Sequence, residues 1–173
     1  MSMESEDRSL KIIMFISLIG LIDAIYLSYL HHLISQGAGC PTENLLGLDC
    51  GVVLASDQAK LFGIPVAWLG VVGFLMLIGL SLDRYLNMDL ERTYYNKILL
   101  PVTGVIGVIF GSYLTYAEAF IIHEWCPFCV VAFVLTIAAT FFCITEYGSD
   151  CLLYTSDAAD EGLGVDLGGR RII

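Results

Sequence analysis

Four of the six cysteines in this chain stand where sulfur chemistry is plausible. The sharpest signal is Cys126-Pro127-Phe128-Cys129. Two cysteines at i and i+3 at a helix start share one face and can close a short-range disulfide with little backbone movement. Pro127 suits a first helical turn, where its missing amide proton is not needed. The free amides and the positive dipole end of such a helix stabilise negative charge on sulfur, and the thiolate is the species that attacks disulfides. A second pair, Cys40 and Cys50, lies upstream. Gly37, Gly39 and the polar segment 41–44 make the surroundings of Cys40 mobile and wet, within reach of a soluble partner. Cys50 leads into Val52, Val53, Leu54 and Ala55, an apolar turn expected to lie on a bundle mouth, closer to the CxxC. A zinc site is the weaker alternative, because nine residues separate Cys40 from Cys50 where zinc knuckles have about two to four. Two inert structural disulfides are the other. Cys143, alone in an apolar run, reads as a small hydrophobe.

The elements that must position these sulfurs are membrane helices. The chain has 173 residues, 57% hydrophobic and 15% charged, with mean hydropathy +0.79. A soluble domain is nearer 45–50% apolar and about 25% charged. Disorder is excluded by this apolarity. Nucleic-acid binding is disfavoured by eight Lys plus Arg against eighteen Asp plus Glu, since phosphate backbones demand basic clusters. Four runs, 12–30, 66–82, 98–117 and 128–145, are long enough to cross about 30 Å of hydrocarbon, and Asp23 is the one charge within them. The first run spans 19 residues with no small-residue cleavage site after it, so it reads as a retained helix rather than a signal peptide. The fold class expected is an all-α integral membrane bundle of four transmembrane helices.

Helices in lipid pack through small residues that let backbones approach. Gly104, Gly107 and Gly111 fall largely on one face of the third span, and Gly70, Gly73 and Gly79 should give the second span similar contact points. Asp23 should face the bundle interior or a wet crevice, as a structural group or part of a proton path. Arg8, Lys11, Arg84, Arg92 and Lys97 flank the spans on one side, which the positive-inside rule makes cytoplasmic together with both termini. The loops 33–64 and 121–125 then face outward, and all four chemically interesting cysteines share the oxidising side of a cell membrane. Residues 1–147 form the membrane domain. Residues 148–173 turn abruptly to Gly, Asp and Ala and read as a disordered tail or a non-native extension, with Cys151 in it.

Taken together, the loop pair, the run Cys50-Gly51-Val52-Val53-Leu54-Ala55-Ser56, Gly63-Ile64-Pro65 opening the second span and Cys126-Pro127-Phe128-Cys129 opening the fourth resemble the vitamin K epoxide reductase family. The likeness is to its prokaryotic-type members, which oxidise thiols with quinone, and covers about residues 10–147. The resemblance implies a four-helix bundle around a quinone, capped by a short helix from the first loop. It also implies that Cys40 and Cys50 shuttle electrons from a thioredoxin-like partner, that Cys126 exchanges with the loop, and that Cys129 faces the quinone. Ser56 looks like the family's loop serine near the site, and equally suits a cap or turn. Phe133 stands where epoxide-reducing members carry a tyrosine, and no asparagine occurs from 64 to 82. The implied acceptor is therefore a plain quinone of ubiquinone or menaquinone type, with Phe133, Phe128, Phe74 and Trp68 as candidate pocket aromatics. A quinone-linked oxidase of the disulfide-bond B type would place its CxxC near the second helix and its loop pair after the third, the reverse of this order. A disulfide-stapled membrane scaffold is the reading without chemistry.

Overall fold

The computed structural model describes residues 2–37, 50–61, 63–86 and 92–164, with only the backbone course for 2–7, 57, 92–94 and 149–164. Five α-helices carry the fold: α1 (Ser2–Ser35), the short α2 (Cys50–Ala55), α3 (Val66–Leu86), α4 (Arg92–Ala117) and α5 (Pro127–Gly164). Four of them hold spans long and apolar enough to cross a membrane, Arg8–Ser35, Val66–Leu86, Tyr95–Ile122 and Pro127–Gly148. The shortest has 21 residues, about 31 Å at 1.5 Å per residue, which matches the hydrocarbon thickness. The bundle closes as a ring in which α1 packs on α3 and α5, and α4 packs on α3 and α5. Its outer surface is apolar, with Phe15, Ile22, Val72, Ile106, Ile109 and Phe141 exposed. In water such a surface would aggregate, and in lipid it is the required one.

Small residues set the close approaches on the α4–α5 side. A Cβ added to Gly104 would meet Thr140 Oγ1 at 2.7 Å, one at Gly107 would meet Thr136 at 3.0 Å, and one at Gly111 would meet the Phe133 ring at 2.5 Å. The α3 glycines differ from the expectation of equal contact points. Gly70 approaches Ala24 of α1, whereas a Cβ on Gly73 or Gly79 would meet nothing within 4 Å. Gly73 borders a cavity instead of a neighbouring helix.

Three further findings depart from the sequence reading. Arg84, counted as a loop charge, is buried inside α3 and bonds Glu146 of α5 at 3.4 Å. Both helices run past the ends of their apolar cores, so each end residue turns inward to meet the other. Residues 60–65 add a two-residue hairpin, β1 (Lys60–Leu61) pairing antiparallel with β2 (Ile64–Pro65), and Gly63 takes φ +82 in its turn. Finally, α5 continues past the membrane span through Gly164, into the segment set apart in the sequence as a tail or extension. A helix already nucleated gains one hydrogen bond for each residue added, and no proline follows Pro127 to stop it.

Candidate active site

The chain between α4 and α5 builds one wall of the site. After Ala117 the helix widens into a π segment, Glu118–Ile122, which ends at His123 in the left-handed conformation at φ 61. Such π segments are often found at functional sites. Residues 123–126 then reverse the chain into α5, whose first residue is Pro127. Cys126 is the residue that caps this helix. Its carbonyl accepts the Val130 N–H at 3.1 Å, and its Sγ accepts the Cys129 N–H at 3.4 Å. A sulfur thus takes the place of the usual capping oxygen, satisfying an amide that the first turn leaves without a partner. The i, i+3 spacing puts Cys126 and Cys129 on one face of the helix start, joined by that amide-to-sulfur bond.

Cys126 and Cys50 are fully buried in one cluster with Leu27, Leu30, Val53 and Leu54, and Cys129 and Phe128 pack against it. The apolar face of α2 therefore brings the loop sulfur beside the CxxC. Cys50 is disulfide-bonded, whereas Cys126, Cys129 and Cys143 are free thiols. Cys40, with the polar segment after it, lies outside the described residues. The Ser56 hydroxyl bonds the Val53 carbonyl at 2.6 Å and its carbonyl accepts the Ala59 N–H at 3.1 Å, closing α2 into the 3-10 turn Asp57–Ala59. Ser56 does not border the cavity that Cys129 lines.

A cavity of about 160 Å³ lies within the bundle, walled by α1, α3, α4 and α5 and by Leu54 of α2. Cys129 is on its wall, one helical turn past Cys126, with Phe74, Phe110, Phe133 and Gly73 among the apolar groups around it. Of the pocket aromatics expected, Phe74 and Phe133 border it. Phe128 instead packs edge-on against Tyr26 with ring centres 5.1 Å apart, and Trp68 is 55% exposed. An apolar cavity of about 150 Å³ is known to admit a benzene ring, so a ring the size of a quinone head group fits here. Among the described residues no three His, Cys, Asp or Glu side chains converge as a metal site requires.

The sequence reading missed Glu118. It is 3% exposed, its Oε2 accepts the Cys126 N–H at 3.3 Å, and it borders the same cavity as Cys129. The available signal was helical register. Continuing the third helix past Ala117 puts Glu118 four residues after Leu114 and seven after Gly111, on the face that packs inward. Asp23 is half-buried in α1, and its Oδ2 has no hydrogen-bond partner among the described residues.

An inward-facing dithiol, a buried loop cysteine in a disulfide beside it and a ring-sized apolar cavity define a thiol–disulfide redox site in a membrane helical bundle. The chain belongs to the vitamin K epoxide reductase family, whose model matches residues 11–144. It is accordingly a multi-pass membrane thiol–disulfide oxidoreductase of a family that acts on thiols with quinones.

Proposed function

We propose that this protein reoxidises a thioredoxin-like partner outside the cytoplasm and delivers the electrons to a membrane quinone, so sustaining disulfide formation. The observation that carries the reading is the burial of Cys126. With no exposed surface of its own, it is closed to a protein-sized reductant, while Cys50 shares its buried cluster. Electrons from a soluble partner then require a relay, and Cys40 with Cys50 is that relay. Support comes from Cys50 being the described cysteine held in a disulfide.

The partner's thiolate attacks Cys40, displacing Cys50 as a thiolate. Cys50 attacks the Cys126–Cys129 disulfide at Cys126, and Cys129 is released on the cavity wall. The partner's second thiol and then Cys40 resolve the mixed disulfides, leaving the partner and the loop oxidised and the CxxC reduced. A bound quinone supplies a two-electron, two-proton acceptor. The protein's contribution is to hold Cys129 against that site, to exclude water, and to bury Cys126 beside its exchange partner. The aromatic walls from Phe74, Phe110 and Phe133 suit a flat ring. The wall at Phe133 lacks a hydroxyl, which favours a plain quinone over an epoxide substrate. On this reading both termini lie on the cytoplasmic side, which the basic residues Arg8, Lys11, Arg92 and Lys97 support.

The test uses the full chain in vesicles with a short-chain quinone. Cys40→Ser should stop oxidation of a protein dithiol far more than oxidation of dithiothreitol, which is small enough to reach deeper sulfurs. Equal loss with both reductants would remove the shuttle role, and no quinone reduction by the unsubstituted chain would remove the reading.

A further inference from the structure

The CxxC dithiol holds two protons as well as two electrons, and the cavity that receives the electrons is walled mainly by hydrocarbon. Thr103 and Thr136, two of its polar groups, point their hydroxyls at the carbonyls of Leu99 and Ala132, each at 2.8 Å. The ionisable groups among the described residues bordering the cavity are Cys129 and Glu118. Glu118 meets the redox pair through the Cys126 amide at 3.3 Å and shares the cavity wall with Cys129. No Lys or Arg pairs with it among the described residues, in contrast to Glu146, which faces Arg84. A carboxylate locked to a guanidinium is a poor proton carrier, because neutralising it leaves a buried cation uncompensated. An amide proton and a thiol, in contrast, can be bonded by a carboxyl in either protonation form.

Resting on the proposed function, we propose that Glu118 is the proton carrier of the buried half-reaction, taking the proton of the Cys129 thiol and passing it to the quinone oxygen. The step balances: two S–H bonds break, the Cys126–Cys129 disulfide forms, two electrons pass from sulfur to the quinone, and two O–H bonds form on the product. Glu118 moves one proton at a time and ends each cycle as it began. The carboxyl is held at the pair by the Cys126 amide and lines the same cavity as the Cys129 thiol, the position such a carrier needs. Its place at the start of a π segment fits this role, because the widened turn brings residue 118 and the helix cap at residue 126 together.

The decisive variant is Glu118→Gln, which keeps an oxygen to accept the Cys126 amide and keeps the volume but cannot carry a proton. Two measurements are made on the purified full chain: single-turnover reduction of a short-chain quinone by pre-reduced protein, and infrared difference spectra of quinone-free protein between dithiol and disulfide forms. General acid–base catalysis contributes about 10²–10⁴-fold, so E118Q should slow the quinone step by about 10²-fold or more, with reduction of the CxxC by dithiothreitol unchanged within about threefold. The quinone-free spectrum of the unsubstituted chain should contain a carboxyl band that E118Q removes. Failure of either expectation, a quinone step within about threefold of normal or a spectrum indifferent to the substitution, overturns the inference. Should E118Q not fold, Glu118→Asp decides. Its shorter arm should slow the quinone step about tenfold or more with thiol exchange intact, and an unslowed step overturns the inference. An unsubstituted chain that exchanges thiols but reduces no quinone instead overturns the proposed function itself.

Discussion

The two ends of the bundle each bury a carboxylate and a free cysteine, and they differ in almost everything else. At one end Arg84 and Glu146 face each other at 3.4 Å, Lys11 lies over the Tyr85 ring at 5.4 Å, and Asn96 bonds Asp83. Cys143 is buried there among Leu10, Ile13, Leu100 and Ala139. At the other end Glu118 bonds the Cys126 amide, and Cys129 opens with it on a cavity. The first end is closed, with Arg84 facing Glu146 and Cys143 beside no second cysteine among the described residues. The second brings several sulfurs to one place and leaves a ring-sized space beside them. Burial alone thus does not mark a reactive cysteine; a second sulfur and an approach for the acceptor do.

The largest expected effect separates the two ends outright. Cys126→Ser or Cys129→Ser should reduce quinone-dependent partner oxidation in vesicles to background, whereas Cys143→Ser should leave the rate unchanged. Loss with Cys143→Ser would erase the contrast.

Stability should show the opposite bias. Arg84→Met breaks the buried Arg84–Glu146 pair, and removing one partner of such a pair costs about 3–5 kcal/mol. Thermal unfolding in detergent should register that loss, while turnover per folded molecule stays normal. The double variant R84M/E146L should recover most of the stability, because apolar replacement of a buried pair is often neutral. A double variant as unstable as the single would show that the pair holds more than its own charges.

Two glycines sharpen the comparison at smaller scale. Gly111→Ala pushes a Cβ to 2.5 Å from the Phe133 ring, and overpacking of this kind costs about 1–3 kcal/mol. Gly73→Leu meets open space and borders the cavity, so it should leave unfolding unchanged and raise the KM for quinone about tenfold, equivalent to about 1.4 kcal/mol. A normal KM in Gly73→Leu would move the quinone out of this cavity.

The CxxC was legible in the sequence because Pro127 and the apolar run after it announce a helix start, and helical spacing alone brings residues 126 and 129 together. The seat of Cys50 beside Cys126 followed from the apolar turn 52–55. The glycine stripe of α4 was legible for the same reason, as its partners lie along one neighbouring helix. Glu118 was not legible, since charge was used to end the third span, and a buried carboxylate at a span's edge looks like a loop residue until its partners are known. Arg84 and Glu146 were lost in the same way: each is an end charge until the other, 62 positions away in sequence, turns it inward. Gly73 shows the limit of composition, because a glycine facing a neighbouring helix and one facing a cavity are the same letter.

The relay requires that Cys50 and Cys126 react with each other, and one substitution exposes that bond. In Cys129→Ala, the free Cys126 can attack the loop disulfide at Cys50 and release Cys40 as a thiolate; with Cys129 absent and the freed Cys40 alkylated, no thiol remains to resolve the bond. Thiol trapping in intact membranes followed by mass-spectrometric disulfide mapping should therefore find a Cys50–Cys126 disulfide accumulating in this variant. Cys126 recovered wholly as an alkylated thiol, with Cys50 still bonded elsewhere, would contradict the account.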